Sequence, residues 1–229
     1  MRVVKNVAWK LIYRVSSRIQ IQAARDIGRE LQARALSDTC KYVEERLWNC
    51  AALSSSEEII DFALQSRPTE GFFCEFGVFR GRSINYIARK IRPHVIYGFD
   101  SFEGLPEDWR SGYPKAAFET SVPSVEHNVE LHKGWFENTL PEFATSIKEK
   151  TAAIVHVDCD LYSSTRTIFE HLGRFIVRGS VVIFDEYFNY PGWREHEHKA
   201  LQEFCAASNK RYEYLAYNRL HEQVVIRFL

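Results

Sequence analysis

The most constraining feature of this sequence is a regular alternation of strand and helix patterns that begins at Gly71. Short apolar runs with the length of buried strands recur along the chain, and helical patterns separate most of them. The predicted strands are residues 72–76, 95–99, 129–132, 153–157, 181–184, 212–217 and 223–228. The predicted helices are residues 83–91, a short one near Ser124, 143–148, 163–175 and 194–208. Strands interleaved with helices favour right-handed βαβ units, so we predict an α/β domain with a parallel sheet.

The last two predicted strands break this alternation. Residues 218–221 form the link between them, and a parallel crossover needs about a dozen residues or more, so the link closes a hairpin. We therefore predict a Rossmann-like, seven-stranded, mostly parallel sheet with an antiparallel terminal hairpin. This strand order resembles that of class I methyltransferases.

Residues 1–66 precede the alternation and carry helical patterns. We predict an N-terminal helical segment, residues 1–66, followed by one α/β domain, residues 67–229. Apolar residues recur at helical spacing near the start, at Val4, Ala8, Leu11, Val15 and Ile19. The opposite face is basic, which suits either packing on the body or a second subunit, or contact with an anionic membrane or partner.

A clearer helix start lies at Ser54 and Ser55. Each serine precedes a glutamate by three residues, which is the spacing of a capping box. We expect this helix to run from Glu57 and to end before Pro68, because the residue before a proline disfavours helical angles.

The composition is that of a globular protein, with 45% hydrophobic and 26% charged residues. The formal net charge is +0, so no overall field favours nucleic acid. The five cysteines contain no C-x-x-C pair, which argues against a disulfide framework or zinc site and favours the cytoplasm. No run approaches the ~18 apolar residues of a membrane span, and no signal peptide is evident.

A glycine-containing loop follows the first predicted strand of the domain, Glu75-Phe76-Gly77-Val78-Phe79-Arg80-Gly81-Arg82-Ser83. Glycines at a strand-to-helix turn allow a ligand to approach the backbone closely. The dinucleotide fingerprint is absent, because Phe79 occupies the place of its middle glycine. A carboxylate at Glu75 suits a ligand with a cationic centre or an amine, such as S-adenosylmethionine. The alternative is an ordinary tight turn.

The second predicted strand ends next to Asp100. An acidic residue about 20 positions beyond such a loop commonly accepts hydrogen bonds from ribose hydroxyls. The alternative is that Asp100 caps the turn that follows it.

Two further acidic pairs follow buried strands. Asp158 and Asp160 come after residues 153–157, and Asp185 and Glu186 come after residues 181–184. Ligands bind at the carboxyl ends of parallel strands, so these carboxylates predict a divalent metal, a catalytic base, or both.

Four motifs occur in order and resemble the macrocin O-methyltransferase family, over roughly residues 71–204. They are Phe99-Asp100-Ser101-Phe102-Glu103-Gly104-Leu105-Pro106, Gly134-Trp135-Phe136-Glu137-Asn138-Thr139-Leu140-Pro141, Asp158-Cys159-Asp160-Leu161-Tyr162-Ser163-Ser164-Thr165 and Asp185-Glu186-Tyr187. The resemblance implies S-adenosylmethionine-dependent methylation of a hydroxyl on a small molecule, such as a sugar or glycoside. It also implies frequent Mg²⁺ dependence and a homo-oligomer built with the N-terminal helices.

Site residues carry over from the family position by position. The methionine part of the cofactor would contact Glu75, Gly77, Gly81 and Ser83. The ribose would contact Asp100 and Ser101, and the adenine would contact Gly134 and Trp135. Asp158, Asp185 and Glu186 fall on the metal positions, with Asp158 also counted as a cofactor contact. The family usually has a second aspartate where this chain has Glu186, and Mg²⁺ is strict about octahedral geometry.

Methyl transfer to an alcohol needs a group that takes the hydroxyl proton. Asp160 lies two residues beyond Asp158 and is a candidate base, and we assign the catalytic pair to Asp158 and Asp160. The alternative for Asp160 is a cap on the following helix. A base role for His196 or His198 also stays open, whereas His156 within its strand is read as a hydrogen-bonded core residue.

The acceptor pocket is expected in loops 101–119 and 187–193, which are rich in aromatic residues. Their aromatics, Trp109, Tyr113, Tyr187, Phe188, Tyr190 and Trp193, either surround a ring-shaped acceptor or pack on one another as a lid. Two other readings of the whole chain remain: a nicotinamide oxidoreductase on a related sheet, and a binding protein that performs no turnover.

Overall fold

The computed structural model of this chain describes residues 25–147 and 150–229. The predicted amphipathic stripe between Val4 and Ile19 lies outside these residues. The described chain forms an eight-stranded sheet in the order β1-β7-β8-β6-β5-β2-β3-β4. The strands are β1 (Ala51–Leu53), β2 (Phe72–Phe76), β3 (Ile96–Asp100), β4 (Val129–Lys133), β5 (Ala152–Val157), β6 (Val181–Phe184), β7 (Tyr212–Asn218) and β8 (Val224–Phe228).

Strand β8 is the antiparallel member of this sheet. It pairs antiparallel with both β6 and β7, whereas the other neighbouring strands pair parallel. The predicted terminal hairpin is therefore confirmed. The predicted number of seven strands is wrong by one, because β1 pairs parallel with β7 at the edge of the sheet. A strand of three residues has too short a pattern to be recognised without its partner.

Six α-helices are described. They are α1 (Ile27–Arg46), α2 (Ser56–Ser66), α3 (Arg82–Lys90), α4 (Phe136–Ser146), α5 (Tyr162–Leu172) and α6 (Glu197–Ser208), with 3-10 turns at Gly173–Phe175 and Trp193–Glu195. The N-cap of α2 is Ser55, whose hydroxyl accepts a hydrogen bond from the backbone of Glu58. The short helix predicted near Ser124 does not form. There the side chain of Asn85 bonds the carbonyl of Ser124 and the amide of Glu126, which fixes an irregular segment.

Helices cover both faces of the sheet. Apolar residues of α1, α4, α5 and α6 pack on one face, and those of α2 and α3 pack on the other. The boundary proposed at residue 66 stays a prediction, but β1 and α2 both pack on the sheet of the α/β domain. Within the described ranges, no helix combines the length and the apolarity that crossing a membrane requires.

Candidate active site

A cavity of about 490 Å³ opens at the carboxyl edge of the sheet, above β2, β3, β5 and β6. It contains eight of the residues that the sequence predicted for the site: Gly77, Asp100, Ser101, Gly134, Trp135, Asp158, Asp160 and Glu186. The predicted residues Ser83 and Asp185 line a smaller neighbouring cavity of about 340 Å³. Both cavities share Phe79 and Asp158 as walls. The fold thus gathers residues that lie far apart in the sequence around one connected site.

Gly77 follows β2 and lies against the backbone at the end of β5, between the part of the site near Asp100 and the part near Asp158. Its backbone has a φ of +91°, and a Cβ at this position would come 1.6 Å from the carbonyl oxygen of Asp158. The amide of Gly77 also donates to the carbonyl of Phe99. Only glycine combines this backbone angle with such a close approach, so the residue type is dictated by the junction between β2 and β5.

Asp100 holds the glycine loop in place. Its Oδ2 accepts hydrogen bonds from the amides of Val78, at 2.9 Å, and Phe79, at 2.7 Å. Its Oδ1 accepts from the amide of Phe102 at 2.7 Å, which is the turn-capping role that the sequence left open. The same carboxylate lines the large cavity. Asp100 is therefore oriented by the backbone and available to a ligand.

Glu75 lies beneath the loop instead of on the wall of the large cavity. It is completely buried, and its carboxylate accepts from the hydroxyl of Ser83 at 3.0 Å and bonds Nδ1 of His156 at 2.9 Å. The predicted direct contact between Glu75 and a cationic cofactor has no support in this geometry. Gly81 is also buried and serves as the left-handed N-cap of α3.

His156 links Glu75 to the reaction side of the site. Its Nε2 lies 3.3 Å from Oδ1 of Asp185, an oxygen that also accepts from the side-chain amide of Gln223 at 2.5 Å. Burial by itself lowers the pKa of His156, but the bonds to Asp185 and Glu75 outweigh it and hold the pKa well above its usual value. The prediction of a hydrogen-bonded core histidine is confirmed. The sequence did not show that both of its partners are carboxylates.

Asp158 and Asp160 both line the large cavity. Burial and the neighbouring Asp185 carboxylate raise the pKa of Asp158 well above its usual value. Burial raises the pKa of Asp160 to about 7, although Arg110 opposes the shift. Asp160 has a φ of +66°, a conformation that is strained for a residue with a side chain. The N-cap of α5 is Leu161 and receives no side-chain bond, so Asp160 does not cap this helix.

Glu186 lines the large cavity together with Asp158 and Asp160. It is 8% exposed, and its Oε2 has no hydrogen-bond partner among the described residues. Its amide donates to Oε2 of Glu197, a fully buried carboxyl that the sequence analysis did not single out. Burial and the charge of Asp185 raise the pKa of Glu186 well above its usual value.

A group of side chains with metal-ligating atoms does form, but its membership differs from the prediction. Ligand atoms of His156, Asp158 and Asp185 lie within 4.8 Å of one another. Asp158 and Asp185 offer carboxylate oxygens to a divalent cation, which would balance the burial and the Asp185 charge that together raise the pKa of Asp158. Glu186 is not part of this group among the residues described, and its predicted metal role stays a prediction.

The aromatic residues of the two loops pack on one another. Tyr187, Phe188, Tyr190 and Trp193 are at most 2% exposed. Trp109 packs edge-to-face against Tyr190 and against His196, and the guanidinium of Arg110 lies over Trp109, Tyr113 and Tyr190. These loop aromatics therefore pack on one another, and their role as a lid stays a prediction. The apolar wall of the cavity is built instead by Leu105, Pro106, Phe118, Trp135 and Phe136.

Neither histidine of the 194–208 segment faces the carboxylates as a base. His198 bonds the hydroxyl of Tyr42 through Nε2 at 3.2 Å, and burial lowers its pKa to about 4. His196 lies against the rings of Trp109 and Tyr190, and burial and Arg110 lower its pKa. Asp160, unlike these two histidines, lines the large cavity.

A family model described as a methyltransferase domain matches residues 74–187. The match begins within β2 and ends directly after Glu186, so it spans the whole row of strand ends that forms the cavity. Residues 74–187 of this chain are therefore similar to a methyltransferase domain.

Two curated proteins similar to this chain come from Streptomyces species. One is the 8-demethyl-8-(2,3-dimethoxy-alpha-L-rhamnosyl)-tetracenomycin-C 4'-O-methyltransferase of Streptomyces olivaceus, which is 30% identical over 51% of this chain and 53% of its own length. Another is the demethyldecarbamoylnovobiocin O-methyltransferase of Streptomyces niveus, which is 27% identical over 53% of this chain and 54% of its own length. The chain thus spans about half the length of the curated relatives it matches.

Solved structures share the fold. The calicheamicin methyltransferase CalS11 aligns with a TM-score of 0.58 at 22% identity, over 75% of this chain and 77% of that chain. The O-methyltransferase NovP aligns with a TM-score of 0.55 at 23% identity, over 75% of this chain and 76% of that chain. The methyltransferase domain therefore has the Rossmann-like class I methyltransferase fold, with the antiparallel hairpin at its carboxyl end.

Proposed function

We propose that this chain is an S-adenosylmethionine-dependent O-methyltransferase that acts on a hydroxyl of a small molecule, a sugar or glycoside. The observation that carries the proposal is the cavity itself. Its lining combines a backbone-held carboxylate, Asp100, which ends β3, and the ring of Trp135, which follows β4, with the carboxylates of Asp158 and Asp160, which follow β5. Methyl transfer to an alcohol requires a place that binds the methyl donor and, next to it, a group that accepts the proton of the hydroxyl.

The cofactor would lie along the first half of the cavity. Asp100 and Ser101 would hold the ribose hydroxyls, and the ring of Trp135 beside Gly134 offers a face on which adenine can stack. Ser83 lines the smaller cavity next to the loop and would hold the methionine end. Gly77 lets the loop approach Asp158, which brings the sulfonium methyl towards the carboxylates.

The second half of the cavity would bind and deprotonate the acceptor. When bound, S-adenosylmethionine would supply the methyl group for in-line attack by the acceptor hydroxyl, with the thioether as leaving group, and the carboxylate of Asp160 would take the hydroxyl proton. A base is most effective when its pKa is near the working pH, and that of Asp160 is about 7. The packed aromatic lid around Trp109 and Tyr190 excludes water from this end.

Divalent metal assistance is part of the proposal. Asp158 and Asp185 would hold the ion, whereas the ligand role that the family resemblance implies for Glu186 stays a prediction. When bound, such an ion supplies a positive charge that acidifies a hydroxyl and orients it.

The sugar acceptor is suggested by what the relatives are named for. One curated relative is a methyltransferase of a rhamnosyl tetracenomycin, and a structural neighbour with a TM-score of 0.55 is described as a TDP-rhamnose 3'-O-methyltransferase. The cavity of about 490 Å³ has room for a sugar beside the cofactor. The narrower membership of the macrocin family, the cytoplasmic location and assembly through the N-terminal segment remain predictions.

The deciding experiment is transfer of a labelled methyl group. Purified chain with labelled S-adenosylmethionine is incubated with rhamnosides, other glycosides and simple phenols, and the Asp160→Asn variant serves as the matched control. We expect label on a glycoside hydroxyl with the native chain and at least about 100-fold less with the variant. Cofactor binding by calorimetry without transfer to any acceptor would instead favour a binding protein, and preferential binding of NAD would favour an oxidoreductase.

A further inference from the structure

His156 has the position of a metal ligand within the acidic group. It projects from β5 two residues before Asp158, and its Nε2 faces Oδ1 of Asp185 at the end of β6. The three side chains offer one nitrogen and two carboxylate oxygens within 4.8 Å of one another. The oxygen-only set of Asp158, Asp185 and Glu186 does not converge in this way among the described residues.

Hydrogen bonds from residues outside this group of three orient His156 and Asp185. Nδ1 of His156 is bonded to Glu75, and Glu75 is fixed in turn by the hydroxyl of Ser83. Histidines that bind metals almost always donate their other ring nitrogen to a carboxylate, carbonyl or water, which aims the free nitrogen at the ion. Because Nδ1 is engaged by Glu75, Nε2 is the nitrogen that faces the group, and an ion bound there would displace its proton and its hydrogen bond to Asp185.

Asp185 is likewise oriented by hydrogen bonds. Its Oδ1 accepts from the amide of Gln223, and the side-chain oxygen of Gln223 accepts from Asn218 at 2.8 Å. Gln223 is 1% exposed, so this arm is held inside the protein. Carboxylates that ligate metals are themselves hydrogen-bonded in this manner.

The group can also be reached from solvent. The cavity of about 340 Å³ is lined by His156, Asp158, Asp185 and Gln223, and Asp158 forms part of the wall of the larger cavity as well. An ion on these three residues would therefore face the place where the acceptor hydroxyl is expected.

We propose that His156, Asp158 and Asp185 form a site for a divalent transition metal, Mn²⁺, Co²⁺ or Zn²⁺, in which His156 takes the place expected for Glu186. The proposal deepens the proposed function, on which its catalytic meaning rests. Imidazole nitrogen is a ligand that suits transition metals, whereas Mg²⁺ prefers oxygen ligands alone. Glu186 stays buried with its amide on Glu197.

Metal binding is measured on the full chain without cofactor or acceptor, so that its failure is distinct from failure of methyl transfer. Metal-stripped protein is titrated with Co²⁺ and followed by visible absorption, and with Zn²⁺ by equilibrium dialysis. We expect one ion per chain, and at least about 10-fold weaker binding in His156→Gln and Asp185→Asn. Glu75→Gln should weaken binding by about 10–100-fold through loss of the ligand's support.

Two variants serve as controls. His127→Gln removes an exposed histidine and should bind the ions like the native chain. Glu186→Gln should also bind Co²⁺ and Zn²⁺ within about 3-fold of the native chain. Loss of binding in Glu186→Gln with full binding in His156→Gln would overturn the proposal, as would absence of binding by all three ions.

One measurement needs no variant and covers the case in which His156→Gln fails to fold. Native chain loaded with Mn²⁺ is examined by pulsed electron paramagnetic resonance for coupling to a ligand nitrogen. An imidazole coupling that follows ¹⁵N labelling of histidine supports the site. Bound Mn²⁺ with oxygen ligands alone overturns it.

Discussion

The two halves of the active-site cavity stabilise their carboxylates in opposite ways. In the cofactor half, Asp100 accepts three hydrogen bonds from backbone amides of its own loops. In the reaction half, burial and neighbouring acids raise the pKa values of Asp158, Asp160 and Glu186. The unpartnered oxygen of Glu186 and the strained backbone of Asp160 belong to the same half.

This difference indicates whether each half needs a bound ion or a proton to balance its charge. The cofactor half is complete before anything binds, since its charge is satisfied by fixed dipoles. The reaction half concentrates negative charge that a cation or a proton must balance. Binding and chemistry should therefore be separable by mutation, except where the two halves touch.

The largest effect is expected at that junction, in Gly77→Ala. A Cβ there would collide with the carbonyl oxygen of Asp158, so the variant should lose more than about 4 kcal/mol of stability and both functions together. Chemical denaturation and cofactor calorimetry measure this. Gly112→Ala is the matched control, because Gly112 has a φ of +92° but nothing within 4 Å, and it should lose only about 1–2 kcal/mol. Equal losses in both variants would show that the contact with Asp158 is unimportant.

Next in size is Asp160→Asn, which removes the proposed base and leaves the cofactor half untouched. We expect kcat to fall by about 10²–10⁴-fold with cofactor affinity nearly unchanged. In the native chain, kcat should rise with pH and level off above about 7, because only the ionised carboxylate accepts the proton. A variant that keeps both the rate and the pH profile would assign the base elsewhere.

The converse change is Asp100→Ala, in the cofactor half. It should weaken S-adenosylmethionine binding by about 1.5–3 kcal/mol, since the ribose contact and the acceptor for the Val78 and Phe79 amides are both lost. At saturating cofactor, kcat should stay within about 5-fold of the native value. Glu103→Ala, which removes an exposed acid of the same loop, should bind cofactor normally. Unchanged affinity in folded Asp100→Ala would remove this residue from the cofactor site.

The smallest effect concerns a buried group outside the cavity, His198. Burial and Arg194 lower its pKa to about 4, against about 6.5 when unfolded, so the folded state resists its protonation. The stability that it contributes is present above pH ~6.5 and is lost as the pH falls towards 4. Native chain should therefore lose on the order of 1–2 kcal/mol more than His198→Gln between pH 7 and pH 4.5. Denaturant midpoints at both pH values check this, and His127→Gln, exposed and without this contact, should behave like the native chain.

Much of the fold was predictable because its signals are local. The apolar runs of β2, β5 and β6 and the turn residues around them specify buried strands without reference to their neighbours. Parallel strands end at one edge, so the positions of Asp100, Asp158 and Asp185 follow from the order of the elements. Strand β1 escaped notice because three residues carry no pattern until β7 pairs with them.

The sequence by itself thus determined the sheet, its terminal hairpin and the set of carboxylates at its edge. Only the tertiary structure decided which way each side chain points and what it meets. Glu75 and His156 are 81 residues apart, and Asp185 and Gln223 are 38 apart, yet each pair is hydrogen-bonded. Such contacts depend on register and on the packing of the whole sheet, so the burial of Glu75 and the place of His156 between two carboxylates emerged only on folding.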